Sequence, residues 1–238
     1  MASPAVLLAL FTNPALAAFS TVAEPDFAVA RQRMVEEQLA GRDITNRLVL
    51  RAMASVPRHE VVPAPLRSEA YGDHALPIGH GQTISQPYIV AFMTQALDPR
   101  TNDVVLEVGT GSGYQAAVLA GLVKQVYTIE IVEPLARRAE ADLKRLAVTN
   151  VQVRVGDGYK GWSAAAPFDA IIVTCAPEHI PQPLVDQLKE GGRMIIPVGP
   201  VSNQALYLLR KKDGKVRPQA ILPVRFVPMT GQAKEPER

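Results

Sequence analysis

Val104 to Tyr114 reads VVLEVGTGSGY, and these eleven positions decide the fold. Val104, Val105, Leu106 and Val108 are strand formers, Gly109, Gly111 and Gly113 follow at alternate positions, and Ala116, Ala117, Leu119 and Ala120 continue as an apolar helical run. A strand that turns sharply through glycines into a helix brings backbone close to a ligand and points the positive helix end at it. The stretch reads as a nucleotide-cofactor cradle. In the dinucleotide fingerprint G-x-G-x-x-G/A the third small residue lets helix and strand pack closely, but Tyr114 stands there, which makes NAD or FAD a poor fit. A G-x-S-x-G nucleophile elbow also fails, because Thr110 and Tyr114 occupy its outer glycine positions.

Working outward, QVYTIEI at 125–131 alternates as a second strand and carries Glu130 near its end. That is about twenty residues past the first glycine, where a carboxylate can accept both ribose hydroxyls. VQVRV at 151–155 is a third strand, and Gly156-Asp157-Gly158 supplies a tight turn with a carboxylate placed for an adenine amino group. FDAIIV at 168–173 is a nearly all-apolar fourth strand, as expected for the centre of a parallel sheet covered on both faces. The C-terminal strand ends then share one rim, where open parallel sheets bind ligands.

Together with this cradle, GQTISQPYIVAFM at 81–93, GDG at 156–158, FDAIIVTCA at 168–176, LKEGGRMIIPVG at 188–199 and PVRFVPM at 223–229 resemble the protein-L-isoaspartate O-methyltransferase family. This family lies within the class I S-adenosylmethionine methyltransferases. The resemblance runs from about Arg31 to Thr230. The glycine motif alone suggests a methyltransferase of some kind; TISQP ahead of it is the more specific signal. The resemblance implies a doubly wound, mostly parallel α/β sheet of Rossmann-like methyltransferase type with helices on both faces. It implies S-adenosyl-L-methionine as cofactor, and methyl transfer to the free α-carboxylate of L-isoaspartyl residues in damaged proteins and peptides. It further implies Ser85 as the catalytic position, with Thr83, Ile84, Glu107, Gly109, Gly111, Glu130, Asp157, Gly158 and Thr230 around the cofactor and no metal.

The residue types suit this chemistry. A carboxylate with an ordinary pKa near 4 is already ionised at neutral pH, so the acceptor needs no general base, only in-line placement in a dry site. Read without the resemblance, Ser85 is first of all an N-cap, because Pro87 follows closely and Ile89, Phe92, Met93, Ala96 and Leu97 keep helical spacing. Thr83 and Ile84 have an ordinary loop as their alternative, Glu130 a surface strand end, and Asp157 plain turn chemistry. His59, His74, His80 and His179 lack metal-ligand spacing; His80 lies nearest the TISQP segment. Cys175, the single cysteine, reads as a buried inert thiol. Trp162 either roofs the site or fills the core, with the core favoured.

At 238 residues, with 47% apolar and 20% charged positions, the chain suits one methyltransferase domain over 31–238. Residues 31–55 read as two helices forming an N-terminal lid, with Asp43 and Thr45 as capping candidates for the second. Lys212-Asp213-Gly214-Lys215 reads as the turn of a C-terminal antiparallel hairpin. A net charge of +2 argues against nucleic acid as partner, no stretch is long and apolar enough to span a bilayer, and family habit implies a monomer. Residues 1–30 form an extension or a signal-like segment: Ala5 to Phe19 is apolar and ends in ALAA, yet no Lys or Arg precedes Arg31. The expected compartment is cytoplasmic, with the periplasm as the alternative were that segment cleaved. Two other classes stay open on the residues alone: a methyltransferase of the same fold acting on a small molecule or nucleic acid, and a dinucleotide-dependent oxidoreductase.

Overall fold

The computed structural model describes residues 26–234, so the apolar segment that ends in ALAA lies outside the described residues. The chain enters through α1 (Phe27–Arg33), capped by Asp26, whose Oδ1 accepts from the Ala28 and Val29 amides at 3.0 and 3.1 Å. It runs on as a π-helix over Met34–Ala40 before α2 (Arg47–Ser55). Two helices therefore occupy this region, but neither Asp43 nor Thr45 caps the second. Asn46 does, through Oδ1 to the Leu48 amide at 2.9 Å. The two expected residues are engaged elsewhere: the Thr45 amide donates to Gln95 Oε1 at 2.8 Å, and Asp43 Oδ2 accepts from the Tyr88 hydroxyl at 3.1 Å.

A small antiparallel hairpin, β1 (Leu76–Gly79) and β2 (Gln82–Ile84), precedes α3 (Pro87–Leu97). The main sheet begins with β3 (Val104–Val108), followed by α4 (Tyr114–Ala120), β4 (Gln125–Glu130), α5 (Glu133–Arg145) and β5 (Val151–Val155). The chain then returns to the other side of β3 as β6 (Phe168–Val173), α6 (Gln182–Gln187) and β7 (Leu188–Val198), and closes with β8 (Gln204–Lys212) and β9 (Lys215–Val224). The spatial order is β5-β4-β3-β6-β7-β8-β9. Strands β5 to β7 pair in parallel, and β8 and β9 add antiparallel. The final turn is as expected: Asp213 and Gly214 have φ of +54° and +71°, the pair of left-handed residues that a two-residue hairpin turn requires.

Strand periodicity divides the core between the two sheet faces. Val105, Ala170, Ile172 and Ile195 pack with α3 and α4 through Met93, Leu97, Ala116 and Leu119. Leu106, Ile171, Val173, Met194 and Ile196 face the opposite layer with Leu184 and Leu188. The N-terminal helices form a further layer: Met34, Leu39, Val49 and Met53 pack with Tyr114, Val118 and Leu135. Tyr114, the ring that broke the dinucleotide fingerprint, is 1% exposed in this layer. A buried ion pair ties β7 to the loop before β3. Arg193, 3% exposed, reaches Asp103 and the carbonyls of Leu97 and Asp98, the latter two at 2.9 Å. No helix among the described residues is long and apolar enough to cross a membrane.

Candidate active site

Chain order reverses between β3 and β6, because β4 and β5 build outward on one side and β6 resumes on the other. At such a switch point the loops leaving the two strands diverge and open a crevice at the carboxyl rim. A cavity opens there. Val108, Gly109 and Gly111 line it from β3 and its turn, Ile129, Glu130 and Ile131 from β4, and Thr174 and Cys175 from β6. Gly158, the hairpin residues Gln82 and Thr83, and the segment Val227 to Thr230 complete the wall.

The glycine turn is built by its hydrogen bonds. Gly109 has φ of +98°, and a Cβ there would meet Thr174 Oγ1 at 2.4 Å. The space is taken because that hydroxyl donates to the Gly109 carbonyl at 2.6 Å, or to that of Val108 at 3.0 Å, pinning β6 to β3 at the switch point. The Gly109 and Thr110 amides donate to the Ile129 carbonyl at 2.8 and 3.3 Å, the Gly113 amide to the Thr110 carbonyl at 2.8 Å, and the Gly111 amide to Glu130 Oε2 at 2.8 Å. Glycines at this spacing predict backbone N–H groups free to press on a ligand. In the folded chain these four are spent internally. A phosphate-binding turn leaves such donors open; this one offers backbone contact and carboxylates, which suits a ligand without phosphate that carries positive charge.

Two carboxylates lie at the turn. Glu130, 6% exposed, accepts from the Gly111 amide on one oxygen and from the Val132 amide at 3.0 Å on the other. Each oxygen keeps lone-pair capacity, so the group can still receive two neighbouring hydroxyls. Glu107 is 0% exposed, and neither carboxylate oxygen has a hydrogen-bond partner among the described residues. Its cross-strand neighbour Thr128 favours the charged form, but the Thr128 hydroxyl is engaged with Thr110 Oγ1 at 2.6 Å. Burial dominates and, with a smaller contribution from the Glu130 charge, pushes the Glu107 carboxyl up to about 8.

Beside this cavity lies a groove of about 460 Å³. Ser85, Gln86 and Ile89 form one wall and Pro223 to Val227 another; Thr83, Thr174 and Val227 line both spaces. Ser85 is half-buried, and the capping alternative for it is corrected. Gln86 holds the N-cap position with Pro87 as first helical residue, and no side chain caps the helix. The Ser85 hydroxyl is thus not consumed by α3. A burial-raised Cys175 thiol, up to about 12, is protonated at neutral pH. It is half-buried on the cavity wall rather than sunk in the core.

Of the expected cofactor residues, Thr83, Gly109, Gly111, Glu130, Gly158 and Thr230 line the cavity. Ile84, 4% exposed, is packed behind the hairpin, Glu107 lies beneath the turn, and Asp157 is not on the wall. Asp157 Oδ1 accepts from the Tyr159 amide at 3.0 Å and Oδ2 from the Gln232 amide at 2.9 Å, so it fastens the C-terminal segment as well as capping a turn. Three features escaped the sequence reading. They are the Thr174 hydroxyl, the exposed Ile131 (40%) on the wall, and the strap by which the Ala176 amide and carbonyl bond Val227 and Met229 at 2.8 Å each. That strap delivers Thr230. The N-terminal helices contribute nothing to the cavity lining, and His80 sits exposed at the β1–β2 tip with φ of +54°. Trp162 packs edge-on against Tyr127 at 5.2 Å, under Arg154, away from the cavity.

The cavity's donor and acceptor set fits a ribose-bearing sulfonium ligand, and comparison with known proteins points the same way. The family model for protein-L-isoaspartate(D-aspartate) O-methyltransferase matches residues 29–234. The protein-L-isoaspartate O-methyltransferase of Opitutus terrae is 60% identical over 201 residues, covering 84% of this chain and 86% of the relative. A second relative, protein-L-isoaspartate O-methyltransferase 2 of Shewanella sediminis, is 52% identical over 229 residues, covering 96% and 94%. Among solved structures, a protein-L-isoaspartate O-methyltransferase superposes with a TM-score of 0.78 at 29% identity, over 85% of this chain and 67% of that one. A Plasmodium falciparum chain assigned to the same enzyme and solved with S-adenosyl-L-homocysteine gives 0.74 at 26% identity, over 84% and 98%. With the glycine turn, the switch-point cavity and the Ser85 groove in this arrangement, and with the family model spanning nearly all described residues, the chain belongs to the protein-L-isoaspartate(D-aspartate) O-methyltransferase family.

Proposed function

We propose that the chain transfers the methyl group of S-adenosyl-L-methionine to the free α-carboxylate of L-isoaspartyl residues in damaged proteins and peptides. The ester re-closes to a succinimide more readily than the free acid, and part of that succinimide reopens to aspartate, so the reaction begins a repair cycle. The observation that carries this reading is the contact between two spaces. A cofactor-type cavity and the Ser85 groove share Thr83, Thr174 and Val227, which brings a donor and an acceptor together.

When bound, S-adenosyl-L-methionine supplies an electrophilic methyl on a sulfonium. The Gly109–Gly111 turn and Glu130 would hold its ribose, Gly158 the adenine end, and Thr83 and Thr230 the methionine end; Asp157 fixes the turn that carries Gly158, and Ile84 and Glu107 back the hairpin and the glycine turn. Ser85 donates its hydroxyl to one oxygen of the acceptor carboxylate and turns the other toward the methyl. No proton needs removal, since the acceptor is ionised at neutral pH; no histidine is among the residues lining either space. Alignment and exclusion of water carry the acceleration, alignment accounting for up to about 7 to 11 kcal/mol in well-oriented cases. We read residues 31–238 as one catalytic domain acting as a monomer in the cytoplasm, without nucleic acid or membrane as partner. The support is the near-balanced charge of +2 and family habit. Methyl transfer from labelled S-adenosyl-L-methionine to an isoaspartyl peptide, but not to its aspartyl twin, is the expected result; equal labelling of both, or of neither, refutes the reading.

A further inference from the structure

We propose that Arg225 selects substrates by the charge of the residues flanking the isoaspartate, favouring an acidic side chain. The inference rests on the reading of the Ser85 groove as the acceptor site. Arg225 is exposed, and it is the single charged residue among those lining that groove. It also borders a second cleft of about 510 Å³, walled by Val201, Ser202 and Gln204. The side chain thus stands on the ridge between the groove that takes the reacting residue and a neighbouring space that a continuing peptide chain can enter. Neither space has a carboxylate among its lining residues, and the Arg225 guanidinium has no ion-pair or hydrogen-bond partner among the described residues. Within the described residues its charge is open to a substrate.

The backbone beneath it is held firmly. Gln204, 5% exposed, accepts from the Phe226 amide on Oε1 at 2.6 Å and donates from Nε2 to the Phe226 carbonyl at 3.2 Å. On the other side, Val224 pairs with Gln204 as the last residue of β9. Arg225 is bracketed by these two anchors, so its Cα is fixed while its long side chain sweeps the ridge. Val201, 52% exposed, offers an apolar wall for the stem of a flanking residue. A carboxylate on that residue gains the guanidinium; a lysine there is repelled.

Exposed ion pairs are worth about 0.2 to 1 kcal/mol. Attraction of Glu and repulsion of Lys together then give about a two- to thirtyfold difference in kcat/KM. The test uses isoaspartyl peptides carrying Glu, Ala or Lys in turn at each of the two positions on either side, with aspartyl twins as controls. The readout is the Glu-to-Lys ratio of kcat/KM, which cancels any general loss of activity. Wild type should favour Glu at one or more positions, R225Q should bring the ratio near one, and R225E should invert it. High salt should shrink the wild-type ratio. A wild-type ratio of one at every position, or a ratio unchanged in R225Q and R225E, overturns the role of Arg225 while leaving the methyltransferase reading intact. Failure of wild type to methylate any isoaspartyl peptide overturns both.

Discussion

Replacing Glu107 by Gln should make the cofactor-free protein more stable as pH rises, and the size of the gain follows from burial. The carboxyl ionises near 4.5 in its ordinary state and at about 8 in the folded chain. Below pH 4.5 both states are protonated and the residue contributes no pH dependence. Between the two values the folded state retains a proton that the unfolded state has lost, so wild-type stability falls by about 1.4 kcal/mol per pH unit. The deficit reaches about 3 kcal/mol at pH 7 and levels off near 5 kcal/mol above pH 8. Glutamine has nearly the same shape and does not titrate. Its own buried amide carries a cost, but that cost is constant with pH, so the slope is the diagnostic quantity. Urea unfolding of both proteins without cofactor at pH 5, 6, 7 and 8 measures it, and the variant should gain on wild type across the series. Because burial keeps this carboxyl protonated at neutral pH, the same substitution should weaken S-adenosyl-L-methionine binding by about two- to tenfold, the usual cost of a hydrogen bond between uncharged groups. Parallel stability curves for the two proteins would refute the burial argument, and an unchanged dissociation constant would refute the cofactor role.

Three further substitutions separate the parts of the site. Ser85→Ala should lower kcat by about 10²-fold, as expected for slight misplacement of an acceptor, and leave the cofactor dissociation constant within about twofold; equal losses in both would reject the catalytic assignment. Glu130→Gln removes the charged acceptor that holds the Gly111 and Val132 amides. It should weaken cofactor binding by about 10- to 150-fold in calorimetry, and wild-type affinity would rule out the ribose role. Asp103→Ala strands the buried Arg193 charge, which keeps only the Leu97 and Asp98 carbonyls. The expected loss is about 3 to 5 kcal/mol in urea unfolding, with a shift below 1 kcal/mol showing that the carbonyls alone satisfy the guanidinium.

What could be read from the linear chain was whatever depends on neighbours along it. The alternation of Val105, Leu106 and Val108, the alternate glycines after them and the Asp213-Gly214 turn each act within a few residues, so strand, cradle and hairpin were legible. Tyr114 was read correctly as breaking the dinucleotide pattern, although its use, filling the layer between α4 and the N-terminal helices, depends on Met53, sixty-one positions away. Capping was misjudged at both helices where it was weighed. Asp43, Thr45 and Ser85 all look like caps locally, but distant partners such as Tyr88 and Gln95 and the placement of Pro87 decided which residue took the position. The folded chain alone decided that the turn's amides are spent on Ile129 and Glu130, that Thr174 locks β6 to β3, that Asp157 and Ala176 hold the C-terminal strap, and that Ser85 and Arg225 border one groove. Those hydrogen bonds join residues 19 to 75 positions apart along the sequence, and Ser85 and Arg225, which border one groove, stand 140 apart. Their energy comes from burial and hydrogen bonds formed only once the sheet has assembled in the order β5-β4-β3-β6-β7.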